Sequence, residues 1–190
     1  DTIMASDIDN LISAVSAGYT TKHPDYSFFA SRILESRLEK DVPSFWEASK
    51  ILYEDGIISE ENYNKYIKFS KAIQEELDNE NQPTLDYLGI RTFTEVYATK
   101  DKNNLILETP KYYRIRLSTF FSENEAEFKE NIEALKSGYS PPTPTMCNAG
   151  TTENQLASCQ LHYLKEDSTD GIMDTFKDLA HSSRNKAGIG

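Results

Sequence analysis

Chemistry-bearing residue types gather between residues 141 and 190. Residues 143–152 (TPTMCNAGTT) join threonine hydroxyls to a glycine and to free backbone amides of the kind that wrap phosphate oxygens. The same composition suits a plain polar connection between two domains. Neither the GxxxxGK[ST] nor the GxGxxG pattern occurs, so the usual phosphate-loop readings have no support. Cys159 sits in an apolar run, where a cysteine is commonly a small buried hydrophobe, whereas a reactive thiol needs access and an electropositive setting. His162 lies three residues on, which is the opposite face of a regular strand, and this argues against a Cys/His pair. His23 and His181 are isolated and read as structural histidines rather than metal ligands. Cys147 and Cys159 are the two cysteines, too few for a zinc site of thiolates alone and too sparse for a disulfide-stapled scaffold. No metal site and no cofactor held directly by this chain is expected.

Positioning such groups falls first to a helical stretch. Apolar residues recur three and four apart through residues 1–140, with start signals between them. Ser6 precedes a run through Leu11, Ile12 and Val15, and Pro24 with Asp25 opens a helix with Phe29, Ile33 and Leu34 on its inner face. Pro43 starts another, ending near Gly56. Ser59 begins a long helix, acidic in its first turn, and Ser122 with Glu125 forms a capping-box pattern ahead of Phe128, Ile132 and Leu135. Pro141, Pro142 and Pro144 then forbid a continuing helix and force extended backbone, which sets a domain boundary between 1–140 and 141–190. Beyond it, residues 155–164 (QLASCQLHYL) predict a buried strand, and residues 168–184 predict a helix with Ile172, Phe176 and Leu179 inward. Residues 186–190 (KAGIG) look like the entry to a second strand. Strand, helix, strand is the opening unit of an α/β domain with parallel strands, and the remaining strands are expected from elsewhere.

The chain has 190 residues, 38% of them hydrophobic, enough for one large domain or one domain plus part of another. Its net charge of −11 opposes a polyanionic partner, so no nucleic acid is expected and any nucleotide must be held by a few placed groups. Acidic blocks at 75–80 and 123–130 read as solvated helix faces. No run of about 18 apolar residues occurs and the first residues lack a basic-then-apolar leader pattern. A cytoplasmic protein without membrane attachment is the expectation.

Four ordered segments change the odds left open above: PTPTMCNAGT (142–151), QLASCQL (155–161), KEDSTDGIMDT (165–175) and KAGIG (186–190). With TTKHPDY at 20–26, they closely resemble the large, catalytic subunit of class I ribonucleotide reductases, in order and spacing over essentially the whole chain. The resemblance implies an α/β fold: a mostly helical N-terminal domain, then the first strand-helix unit of a ten-stranded α/β barrel that this chain does not complete. It implies replacement of the ribose 2′-hydroxyl of a ribonucleoside diphosphate by hydrogen, through a thiyl radical, with two further thiols ending as a disulfide. Cys159 matches one of that redox pair. Thr143 matches a residue at the substrate diphosphate, Ser158 one beside the ribose, and Gly188 one where backbone approaches the base. Asp167, Ser168, Ile172 and Arg184 match positions around a deoxynucleoside triphosphate or ATP effector, although Asp167 or Ser168 could equally be a helix N-cap.

Partners follow from the same resemblance. They are a separate small subunit housing a metal-based radical cofactor, a second large subunit, and a thioredoxin- or glutaredoxin-like reductant. Because the radical cysteine and second redox cysteine match nothing here, another polypeptide carrying the rest of the large subunit is expected too. Two other readings differ in class: a non-catalytic deoxynucleotide-binding or dimerisation module, and a nonfunctional fragment with aggregation-prone strand edges.

Overall fold

The computed structural model describes residues 5–153, 155–184 and 187–190, with side chains from residue 7 onward. Its first part is a helical assembly: α1 (Ala5–Gly18), α2 (Asp25–Asp41), α3 (Phe45–Glu54), α4 (Glu60–Lys68), α5 (Ser70–Leu77), α6 (Tyr87–Thr92), α7 (Pro110–Phe120) and α8 (Glu125–Lys136). A 3-10 turn (Tyr19–Thr21) follows α1, and α6 runs on into a π turn (Phe93–Tyr97). Then come the short α9 (Thr143–Asn148), strand β1 (Cys159–Gln160), α10 (Thr169–Arg184) and strand β2 (Gly188–Ile189). The fold is thus mostly helical with a small parallel sheet.

Side-chain caps explain most starts. Ser44, Ser59, Asp86 and Thr109 each accept a hydrogen bond from the backbone N–H three residues on, satisfying a donor that the helix itself leaves free. The expected cap at Ser122 lies two residues later. Asn124 Oδ1 accepts from the Ala126 and Glu127 amides, and Glu127 reaches back to the Glu123 amide. Ser122 is fully buried and donates instead to the Ser118 carbonyl, so it ends α7 rather than opening α8. Pro110 occupies the first position of α7, where its missing N–H costs nothing.

Two apolar clusters make the core. Phe45, Leu52, Phe69, Ile73, Ile115 and Phe128 centre the larger, which joins α3, α4, α5, α7 and α8. Leu38, Val42, Ile90, Phe93 and Ala98 make the smaller, between α2 and the α6–π segment. The N-terminal pair corrects the amphipathic reading. Leu11, Ile12, Val15 and Phe29 are exposed, because α1 and α2 meet through small residues instead. Ser13, Ser16, Ala30 and Ser31 are buried there, and Ser13 Oγ donates to the Ala30 carbonyl at 2.8 Å across the close contact. The structure of Ser6 beyond its place in α1 lies outside the described residues.

Three expectations for the later residues also change. The proline-rich segment does contain a helix, α9, because Pro144 falls in its first turn, where amides have no intrahelical partner. The strand expected over 155–164 is two residues long and not buried: Leu161, Tyr163 and Leu164 are exposed, as nothing in the described residues packs over them. In α10, Phe176 and Met173 face outward, Ile172 is 37% exposed, and Leu179 is half-buried. The parallel strand-helix-strand order itself is present, with Cys159 opposite Gly188 and Gln160 opposite Ile189. Lys186 lies outside the described residues.

Candidate functional site

A buried cation underlies α9. Arg116, on α7, is 1% exposed; its Nε and Nη2 donate to Glu108 Oε1 and Oε2 at 2.7 and 3.1 Å, a fork on a carboxylate. Nη1 donates to the Ala149 carbonyl at 2.6 Å and Nη2 to the Met146 carbonyl at 3.1 Å, two acceptors around the C-terminal end of α9. Glu108 Oε2 in turn accepts from the amide and hydroxyl of Thr99 at 3.0 and 2.9 Å. Burial works against the guanidinium charge, yet Glu108, by charge and by hydrogen bond, outweighs it and holds Arg116 above the ordinary arginine value.

The chain after α9 is fastened as well. Gly150 has φ of +81°, and a Cβ there would stand 2.6 Å from Asn62 Nδ2, so only glycine fits. Its carbonyl accepts from the Ser59 amide at 3.0 Å, and the Thr152 amide donates to the Ile57 carbonyl at 2.9 Å. On the other side, Thr145 Oγ1 donates to the Leu156 carbonyl at 2.8 Å and Asn148 Nδ2 to the Gln155 carbonyl at 2.7 Å. Thr143, the first residue of α9, is exposed at the rim. The structure therefore ties the helix that carries Thr143 to the segment that leads into Ser158 and Cys159.

Ser158, Cys159 and Gly188 come together at the sheet. The Gly188 amide donates to the Ser158 carbonyl at 2.9 Å. A Cβ on Gly188 would lie 2.8 Å from that carbonyl and 3.0 Å from Cys159 Sγ, so the missing side chain makes room for the thiol. Cys159 is a free, exposed cysteine, which corrects the reading of it as a buried hydrophobe and gives it the access a reactive thiol needs. His162 turns away to α10: its Nε2 lies 2.9 Å from Ser182 Oγ, which donates to Gln160 Oε1 at 2.6 Å. With the serine proton so directed, Nε2 is the donor, and the trio pins β1 to α10.

At the start of α10, Ser168 is the cap, its Oγ accepting from the Gly171 amide at 3.0 Å. Gly171 is buried under the preceding loop, which folds onto the helix so closely that a Cβ there would stand 2.6 Å from the Glu166 carbonyl oxygen. Asp167 is exposed beside this cap and Ile172 lies one turn on. Arg184 is at the other end of α10, about 24 Å away at 1.5 Å per residue. One copy of the chain thus gathers Asp167, Ser168 and Ile172 but not Arg184. His181 is exposed on the same helix, and His23 accepts from the Asp25 amide in a local turn. Cavities of about 600 Å³ (α1, α2, α6) and about 490 Å³ (α6, α7 and 138–141) are lined by none of the residues at the sheet.

Comparison with known proteins gives the family. The family described as "Ribonucleotide reductase, all-alpha domain" matches over residues 83–154, which includes α6 to α9 and the Arg116–Glu108 pair. Ribonucleoside-diphosphate reductase large subunits match over nearly the whole chain. That of Dictyostelium discoideum is 32% identical over 99% of this chain and 23% of its own length. That of Trypanosoma brucei brucei is 31% identical over 96% of this chain and 24% of its own length, and that of Danio rerio 31% over 97% and 25%. The chain belongs to the ribonucleotide reductase large-subunit family. It corresponds to an N-terminal portion of that subunit and spans about a quarter of the length of these relatives. No helix is long and apolar enough to cross a membrane among the described residues.

For a member of this family, the residues that sequence reasoning missed are those under the loop. Arg114 and Arg116 in YYRIRLSTF interrupt an apolar helix, which is a signal of buried charge, but the partner Glu108 and the two loop carbonyls are contacts that no local pattern announces.

Proposed function

We propose that this chain contributes the substrate-loop and first redox-thiol portion of a ribonucleoside-diphosphate reductase. In this reading α9 presents Thr143 to the substrate diphosphate, Ser158 lies beside the ribose and Gly188 beside the base. The Cys159 thiol is one of two that reduce the substrate. Each turnover converts a ribonucleoside diphosphate and a dithiol into the deoxyribonucleoside diphosphate, a disulfide and water, and thiol-disulfide exchange with a thioredoxin- or glutaredoxin-like protein restores the dithiol. The radical cysteine and the second redox cysteine belong to other parts of the large subunit, and a small subunit supplies the radical. The β1–α10–β2 unit opens the ten-stranded barrel. Cytoplasmic location follows from this role.

The observation that carries the reading is the exposed, unpaired Cys159 thiol seated against a glycine that leaves it room, three residues after Leu156, whose carbonyl is strapped to α9. For the effector, Asp167, Ser168 and Ile172 form one side of a deoxynucleoside triphosphate or ATP site. The length of α10 puts Arg184 beyond the reach of the same nucleotide, so in this reading a second large subunit brings its own Arg184 to the triphosphate.

The test uses the assembled reductase. Cys159→Ser is expected to abolish multiple turnover with a protein dithiol donor while effector binding stays within twofold or so of wild type. Asp167→Ala is expected to do the converse, weakening effector binding about tenfold through loss of a charged acceptor. Sustained turnover in Cys159→Ser sinks the redox role. Intact effector binding with no reductase activity in the wild-type assembly would favour a regulatory module.

A further inference from the structure

We propose that Arg116 is a positioning residue for substrate binding, holding α9 in the register that aims Thr143 at the diphosphate. The inference rests on the reading of Thr143 given above. α9 spans only Thr143–Asn148, too short to persist on its own helix energetics. At the two ends of its short ladder the Met146 amide donates to the Pro142 carbonyl at 3.0 Å and the Ala149 amide to the Thr145 carbonyl at 2.9 Å. The carbonyls of Met146 and Ala149 point away from that ladder, into the molecule, and both are taken by one guanidinium. A cation at the C-terminal end is where a helix dipole favours one.

The cost of this arrangement argues that it serves position rather than stability. Two ions are taken fully out of water, with Arg116 at 1% and Glu108 at 3% exposure, and such pairs seldom stabilise more than apolar replacements of similar size. What the pair does supply is direction. Glu108 is itself fixed by Thr99 Nα–H and Oγ1, so the plane of the guanidinium is set by a carboxylate that cannot swing. Tyr113 lies under the same group, its ring centre 5.5 Å from Cζ. Nε, Nη1 and Nη2 are all engaged, in a fork that a lysine ammonium, a point donor, cannot reproduce. From α9 the order passes to the redox segment through Thr145 and Asn148, whose side chains hold the carbonyls of Leu156 and Gln155 just ahead of Ser158.

The test compares Arg116→Lys, Arg116→Met, Arg116→Met with Glu108→Gln, and Thr143→Ala, all in the assembled reductase. Readouts are KM and kcat for a ribonucleoside diphosphate, effector affinity, and the thermal midpoint. Arg116→Lys is expected to raise KM about tenfold or more with kcat changed less and effector affinity unmoved, as misplacement of a binding group can cost up to about a hundredfold. Removing the stranded carboxylate in the double variant is expected to recover the thermal midpoint lost in Arg116→Met while KM stays high. Recovery of KM together with the midpoint overturns the proposal, as does a wild-type KM in Arg116→Lys, since either makes Arg116 a structural charge only. A raised KM in Thr143→Ala beside unchanged Arg116 variants also overturns it while leaving the Thr143 reading intact. Unchanged KM in Thr143→Ala beside a raised one in Arg116→Lys removes Thr143 from the diphosphate and overturns the proposal together with that reading.

Discussion

The helical region from α3 to α8 and the segment from residue 155 onward are held by different forces. In the first, twelve buried residues from Phe45 to Ile132 form one continuous apolar cluster, and aromatic edges meet around Phe45. In the second, among the described residues only Gly171 and Ser182 are buried, and neither is a large apolar side chain. Its geometry comes from polar and backbone contacts: the Ser182 trio, the Ser168 cap, the Gly171 and Gly188 close approaches and the short ladder. Leu161, Tyr163, Met173 and Phe176 stay exposed there. Residues proposed to do chemistry therefore lie where the chain buries least, and the loop between the two regions takes its shape from the buried one, through Arg116. Rigid scaffold and adaptable functional edge is a common division, because a site needs access that a core cannot give.

Core truncation separates the two regions most strongly. Phe128→Ala, at a residue 1% exposed, is expected to cost about 3–5 kcal/mol, whereas Phe176→Ala, at 62% exposure, is expected to stay within about 0.5 kcal/mol. Urea denaturation of the 190-residue chain reads both, and equal losses would mean that the second region has a core after all. Gly188→Ala sharpens the contrast from the other side. Its Cβ would meet backbone 2.8 Å away, so a loss of about 1–3 kcal/mol and faster amide exchange at Gly188 and Gly190 are expected, with exchange in α7 unchanged. Exchange slowed or unchanged at those amides would mean that the close approach is not what holds the strands.

A smaller effect belongs to alkaline pH. Burial pushes the Tyr66 hydroxyl well above the ordinary tyrosine value, with Arg116 opposing and Glu108 adding to the shift. The unfolded chain then loses that proton first, at about pH 10, so the stability is whole below that pH and is lost as pH rises toward the folded value. Tyr66→Phe is expected to flatten the decline of stability above about pH 10 by up to roughly 1 kcal/mol per pH unit. An unaltered slope would place the alkaline sensitivity on groups other than Tyr66.

Much of this was legible in advance because it is local. Caps at Ser59 and the proline start at Asp25 lie within a few residues of the groups they satisfy. The parallel strand-helix-strand order follows from the alternation of an apolar run, a capped amphipathic run and a glycine-rich run. Motif order pointed to the family through Thr143, Ser158, Cys159 and Asp167, and the relatives agree on the family. α7 was not legible, since a helix with two arginines on buried positions has no amphipathic period to read. The inward face assigned to α1 failed and those of α2 and α10 held only in part, at Leu34 and Leu179, for periodicity shows that a helix has an apolar side but not what meets it. By itself, then, the sequence determined the family, most helix starts and the residue types available for chemistry, because these depend on neighbours a few positions apart. Tertiary structure alone decided that Cys159 is open, that Arg184 stands a helix length from Asp167, and that α9 rests on Arg116. Those are distances between residues far apart in the chain, and only packing sets them.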